Sequence, residues 1–189
     1  MRFRDVQEYM GEVKREGKPL PPQWLHYMGI RRALFEQMDK ELSYSILISE
    51  VNWVMRRHMH TAKEAGILPR IGDICYMDFG PAYLNECGFQ HFGFLFRIVQ
   101  QKALVVPMTS NVQQVARAYD PIHNPQGQKH LCAIGQPPGM HRPSVLFLND
   151  MRYVNTARIL EVKAHIAADS AQFKRIEERI FASMNGACS

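Results

Sequence analysis

The chain has 189 residues, 46% apolar, 10% aromatic and 22% charged, which excludes wholesale disorder and fits one domain, or one domain with a sizeable appendage. Lys plus Arg is 23 against 18 Asp plus Glu, and the resulting +5 favours polyanionic partners only mildly. That excess is spread along the chain, 12 basic and 9 acidic groups in residues 1–70 and the remaining 11 and 9 after them, so no basic arm or tail stands out. No apolar run reaches the roughly 18 residues a membrane span needs. The opening MRFRDVQEYMGEVKREGK mixes both signs of charge and has no apolar h-region. The expectation is a soluble cytoplasmic protein with no membrane partner.

Residues 1–69 read as a helical extension. Asp5 to Lys18 is short, charged and weakly amphipathic, closed by Gly17, Pro19, Pro21 and Pro22. A longer helical stretch runs from Trp24 to Ala65, with Leu34, Met38, Leu42 and Ile46 recurring at i+4 and Val51 and Met55 continuing the face. It is long for one globular helix, and the β-like Ser43–Ile48 segment predicts a break near there. Gly66 and Pro69 end it, with Gly at the C′ position.

From Arg70 the texture becomes β. Gly72–Phe79 alternates polar and apolar residues and predicts a strand, ended by Gly80-Pro81. Phe92–Val99 and Lys102–Met108 predict two more, joined at Gln100-Gln101, with Pro107 expected at an edge or strand end. Ser110–Gly139 reads as a long irregular segment that hides at most short strands such as Leu131–Ile134. Ser144–Leu148 and Arg152–Asn155 predict strands. Ala171–Met184 predicts a terminal helix with Phe173, Ile176, Ile180 and Phe181 on its apolar face. Short strands with Gly/Pro turns point to a small barrel, so the expected class is α+β: residues 1–69 a helical extension, residues 70–189 a barrel domain with a C-terminal helix.

Four cysteines, Cys75, Cys87, Cys132 and Cys188, include no C-x-x-C and are expected to be free thiols. Cys87, His91, His130 and Cys132 have spacings that match no usual zinc knuckle, so neither metal nor cofactor is expected.

Four segments carry a resemblance. Arg70-Ile71-Gly72-Asp73-Ile74 with Asp78-Phe79-Gly80-Pro81 resembles the opening "R-G-D-I/V … D-L-G/S-P" of the MazF/PemK family of endoribonuclease toxins. Asn85-Glu86-Cys87-Gly88 resembles its "S-E-Q-G", and Val105–Ser110 its "V-V-P-I/L-T-S". Val145–Ile159 resembles "V-L-L-D-Q-I-R-T-V-D-x-x-R-L". The resemblance covers residues 70–181 and leaves the extension outside. It implies an SH3-like (CcdB/PemK-type) barrel with a C-terminal helix, usually a homodimer, in the bacterial cytoplasm. It also implies metal-independent cleavage of single-stranded RNA, in which the 2′-hydroxyl attacks phosphorus and leaves a 2′,3′-cyclic phosphate, and an antitoxin protein that occupies the RNA groove.

That chemistry needs a preorganised donor at the developing phosphorane and groups to move two protons. By the resemblance Thr109 is the donor. The family's arginine of "E-Q-G-x-x-R-P" is replaced here by His91, which exchanges a permanent bidentate cation for a group suited to acid–base work. Arg97 is the next basic residue, about 20 Å further along a strand and too far to substitute. Glu86 is expected to hold its turn by accepting backbone N–H bonds. Ser110 and Asn111 beside Thr109, Phe89 on the turn, and Lys129 and Arg142 on the long segment are the expected RNA contacts. Arg152 and Arg158 are expected to be structural. Two other classes fit the same residues: a CcdB-like member that acts by binding alone, and a catalytically degenerate member used as an interaction module.

Overall fold

The computed structural model describes residues 22–186. The helix expected over Asp5–Lys18, with Gly17, Pro19 and Pro21, and Cys188 lie outside the described residues. The chain divides into two compact units, Met1–Tyr44 and Ser45–Ser189. The texture change at residue 70 marks where the strands begin, but the unit that carries the sheet already starts at Ser45.

In the first unit, helix α1 spans Pro22–Gln37 and helix α2, Lys40–Arg56, begins. The interruption falls at Met38–Asp39 rather than near Ser43. Asp39 causes it: its carboxylate accepts the Glu41 and Leu42 N–H groups at 2.8 and 3.3 Å, capping a new helix. Ser43 stays helical, its hydroxyl donating back to the Asp39 carbonyl at 2.9 Å.

The second unit holds the rest of α2, a 3-10 turn at Ala62–Ala65, and eight strands: β1 Asp73–Asp78, β2 Gln90–Val99, β3 Lys102–Thr109, β4 Ala118–Tyr119, β5 Gln128–Gly135, β6 Ser144–Phe147, β7 Arg152–Asn155 and β8 Ile159–His165. Helix α3 (Val112–Arg117) follows β3, and helix α4 (Ala171–Met184) ends the described chain. The 3-10 turn closes on Gly66 in the left-handed region (φ 73), as the stop signal implied. The strands form one sheet in the order β4-β5-β6-β3-β2-β1-β8, with β7 also on β3. The α+β class holds; the sheet, however, is not closed, because β4 and β8 stand at its two ends.

Both faces of the sheet are covered. On one, Ile74, Phe94, Phe96, Val106, Met108 and Leu146 pack with Phe173, Ile176 and Ile180 of α4. The fourth residue of the predicted apolar face, Phe181, stays 42% exposed, its ring edge-on to Phe96 at 5.9 Å. On the other face, Cys75, Met77, Phe79, Leu95, Val105 and Ile159 pack with Ala62, with Ile67 alongside. Two-sided burial explains why β2 and β3 are nearly continuous apolar runs. In β1 too the alternate residues enter two cores, and only Tyr76 is not fully buried. Pro107 is likewise buried inside β3, not at its end. It pairs with Gly93 of β2 and, on its other side, sits in the gap where β3 changes partner, after Val105 pairs Arg152 of β7 and before Met108 pairs Leu146 of β6. The segment expected to be irregular contains α3 and the eight-residue β5.

Gly72 fixes the start of β1. Its φ is +91, and a Cβ there would lie 2.0 Å from the Ile166 carbonyl oxygen, while Ile166 donates its N–H to Gly72 at 2.9 Å. Gly72→Ala is therefore expected to cost about 3 kcal/mol or more, read as a lowered denaturation midpoint.

The face that α2 turns to the sheet is its polar one. Ser49 donates its hydroxyl to Asp78 Oδ1 at 2.7 Å, and Asn52 its amide to Asp78 Oδ2 at 2.7 Å. Gln90 adds a bond to Ser49 Oγ at 2.8 Å, and Arg56 donates to the Ala157 and Ile159 carbonyls at 3.1 and 2.8 Å. Asp78 is 4% exposed, so its charge needs these donors. Val51 and Met55, expected to be buried, are 49% and 74% exposed. The buried hydrogen bonds to Asp78 decide the orientation of the helix.

Candidate active site at the ends of β2 and β3

The connection from β1 to β2 is held at several points. Phe79 donates its N–H to the Phe89 carbonyl and Phe89 donates to Gly80, both at 2.7 Å. Asn85 and Phe89 adopt left-handed φ values of 69 and 56, which lets the chain double back on itself. The Glu86 carboxylate accepts the Tyr83 N–H at 3.2 Å. Asp150 accepts the Cys87 N–H at 2.6 Å, and Arg152 donates to the Cys87 carbonyl at 2.7 Å and to Asp150 at 2.9 Å while lying over the Phe79 ring. Arg152 thus ties the turn to the strand that follows β6. Arg158 donates to the Asp78 carbonyl at 3.0 Å.

This braced turn delivers His91 to the start of β2. Its Nδ1 lies 2.7 Å from the Gly88 carbonyl oxygen. A carbonyl only accepts, so Nδ1 carries the hydrogen, and Nε2 is the nitrogen left to take a proton. The β2–β3 register pairs Phe92 with Met108. Carried one residue further, it sets His91 opposite Thr109, and side chains directly opposite on an antiparallel pair lie roughly 5 Å apart at Cβ.

Thr109 ends β3, paired with Val145 of β6. Its Oγ1 accepts the Asn111 N–H at 3.1 Å, which orients the hydroxyl and leaves its proton to be donated. Beside it opens a cavity of about 330 Å³, with Thr109, Ser110, His141, Arg142, Ser144 and Lys163 on its wall. Phe92, Met108 and Met140 supply the apolar part.

The structure therefore gathers Thr109, Ser110 and Arg142 around one cavity. His91 is not among the residues of its wall. Glu86 and Phe89 stay in the β1–β2 turn. The Asn111 carboxamide oxygen is committed to capping α3, accepting the Gln113 and Gln114 N–H groups. Lys129 lies on β5, its carbonyl bonded by Arg179. Sequence reasoning missed Phe92, Met140, Ser144 and Lys163 as wall residues. Lys163 comes from β8, for which no strand was predicted.

Cys75 and Cys87 add no reactive group. Burial pushes the Cys87 thiol up to about 12, with the Asp150 charge adding and Arg152 opposing. Burial, then Asp73, raises Cys75 to about 12 as well. Both are protonated at neutral pH and poor nucleophiles. Among the described residues no group of three or more His, Cys, Asp or Glu could hold a metal ion, and no helix is long and apolar enough to cross a membrane.

No protein-family model and no curated protein matches the chain. Among solved structures it is similar to MazF (Form-I) from Deinococcus radiodurans, with 16% identity over 64% of this chain and 98% of that one and a TM-score of 0.45. It is also similar to MazE-MazF (Form-II) from the same organism, at 17% identity over 64% of this chain and 97% of that one, TM-score 0.42. For MazE-MazF (Form-III) the values are 15%, 64%, 98% and 0.42.

Proposed function

We propose that the chain is a MazF/PemK-like endoribonuclease that cleaves single-stranded RNA without a metal, leaving a 2′,3′-cyclic phosphate. Two independent lines support this reading: the four motif segments between residues 70 and 159, and the geometry at the strand ends. The observation that carries it is the cavity that gathers the Thr109 hydroxyl with Arg142 and Lys163. The same reading implies a homodimer, an antitoxin protein as partner and a cytoplasmic location.

In this mechanism Nε2 of His91 takes the proton of the 2′-hydroxyl as the O2′–P bond forms. Thr109 donates its hydroxyl to a non-bridging oxygen, where negative charge grows. Arg142 and Lys163 on the cavity wall supply cations for the phosphate. The P–O5′ bond then breaks, and O5′ takes a proton, for which His141 and Lys163 are the donors this cavity offers.

Incubating the pure protein with a long single-stranded RNA in EDTA tests the reading. Fragments ending in cyclic phosphate are expected; intact RNA would refute it. Thr109→Val removes only the hydroxyl and is expected to slow cleavage about 100-fold, the effect of one lost transition-state donor, with only a small fall in melting temperature from the lost Asn111 bond. Equal rates would leave Thr109 as the end of a strand and nothing more.

A further inference from the structure

A second cavity, of about 420 Å³, lies between the C-terminal half of α2 and the Thr156–Arg158 turn. Its wall includes Arg56, Arg57, Arg158, Trp53, Glu50 and Asp78. How these charges are held is the informative feature. Each arginine is bonded to backbone carbonyls: Arg56 to Ala157 and Ile159, Arg57 to Val54, and Arg158 to Asp78. Among the described residues none of the three forms an ion pair with a carboxylate.

The nearby Asp78 carboxylate is satisfied instead by neutral donors, the Ser49 hydroxyl, the Gly80 N–H at 2.9 Å, and the Asn52 and Gln90 amides. The arginines are therefore oriented by fixed carbonyl acceptors rather than by carboxylates, the condition of a site built to receive an anion. The two carboxylates on the wall leave an excess of one positive charge, which suits a phosphodiester better than a more highly charged phosphate. Trp53 stands at the same cavity with its side chain 65% exposed. An exposed indole beside an arginine cluster is the arrangement that stacks an unpaired base while its phosphate is held. The volume lies within the range of small-ligand pockets.

We infer that this cavity binds one nucleotide of a single-stranded RNA, with the base on Trp53 and the phosphodiester on Arg57 and Arg158. The inference rests on the endoribonuclease reading only for the identity of the strand. It gives the helical segment before residue 70 a direct part in holding substrate, which the near balance of charge there does not announce.

The test uses the full-length chain and a labelled single-stranded RNA dodecamer carrying 2′-O-methyl groups, which cannot undergo 2′-hydroxyl attack. Binding is followed by anisotropy over a range of salt. The Arg57→Gln, Arg158→Gln double variant is expected to bind about tenfold more weakly or worse. Its log K against log salt slope should fall in magnitude by about 0.7, the loss of one phosphate contact on a single strand. Trp53→Ala is expected to weaken binding to a similar degree without changing that slope, and Trp53→Phe to restore most of it. Unchanged affinity and slope in the double variant, or no binding of this RNA by the unsubstituted chain, would overturn the inference. The two readings fail separately. Cleavage of ordinary RNA with binding indifferent to Arg57 and Arg158 removes this site and keeps the nuclease. Arginine-dependent binding without cleavage keeps this site and removes the nuclease.

Discussion

His91→Ala is expected to lower the rate of RNA cleavage about 100-fold or more while leaving the fold intact, the loss that follows removal of a positioned general base. The structural argument is the hydrogen bond from Nδ1 to the Gly88 carbonyl at 2.7 Å, which holds the ring and leaves Nε2 as the proton acceptor. Because His91 is exposed and its one bond is to the adjoining turn, truncation opens no cavity in either core. Two companion measurements separate catalysis from packing. The melting temperature of His91→Ala should match that of the unsubstituted chain. His91→Arg tests whether a fixed cation can stand in. A His91→Ala protein that cuts at the normal rate would remove His91 from the mechanism.

Deleting residues 1–69 is expected to leave a barrel that does not fold to a soluble, cooperative state. The deletion removes Ala62, fully buried against Cys75, Met77 and Leu95, and with it the adjoining Ile67. It also takes Ser49 and Asn52 from the buried Asp78 carboxylate. Stripping donors from a buried charge costs on the order of 3 kcal/mol, and exposing one face of the sheet adds to that, a large share of the roughly 5–15 kcal/mol that holds a domain together. The measurement is the soluble yield and thermal unfolding of the truncated chain beside the full one. A soluble truncation that unfolds at the original temperature and cleaves RNA faster would instead identify the segment as an autoinhibitor.

The sequence carried much of the element pattern and part of the site. β1, β2 and β3 were legible from apolar runs cut by Gly80-Pro81 and Gln100-Gln101. α4 was legible from Phe173, Ile176 and Ile180 at helical spacing, and Thr109 from the motif around Pro107. β8 was missed although residues 160–165 alternate, with Leu160, Val162 and Ala164 between Glu161, Lys163 and His165, because the segment was read only as part of the motif that ends at Ile159. β5 was read only as the short Leu131–Ile134, half its length, because the glycines and prolines on both sides read as loop. Lys163 therefore could not be assigned to the Thr109 cavity, since its neighbours there are distant in sequence.

What the sequence determined by itself was local: where strands and helices form, where Asp39 and Gly66 punctuate them, and which residue types stand at the candidate site. Tertiary structure decided which face of each element meets which neighbour. Periodicity alone would bury Val51 and Met55 of α2. The chain instead turns Ser49, Asn52 and Arg56 to the sheet, because the Asp78 charge, once enclosed between β1 and α2, requires their donors. An unsatisfied buried carboxylate costs more than an apolar side chain left in water, and that comparison exists only after the sheet has formed.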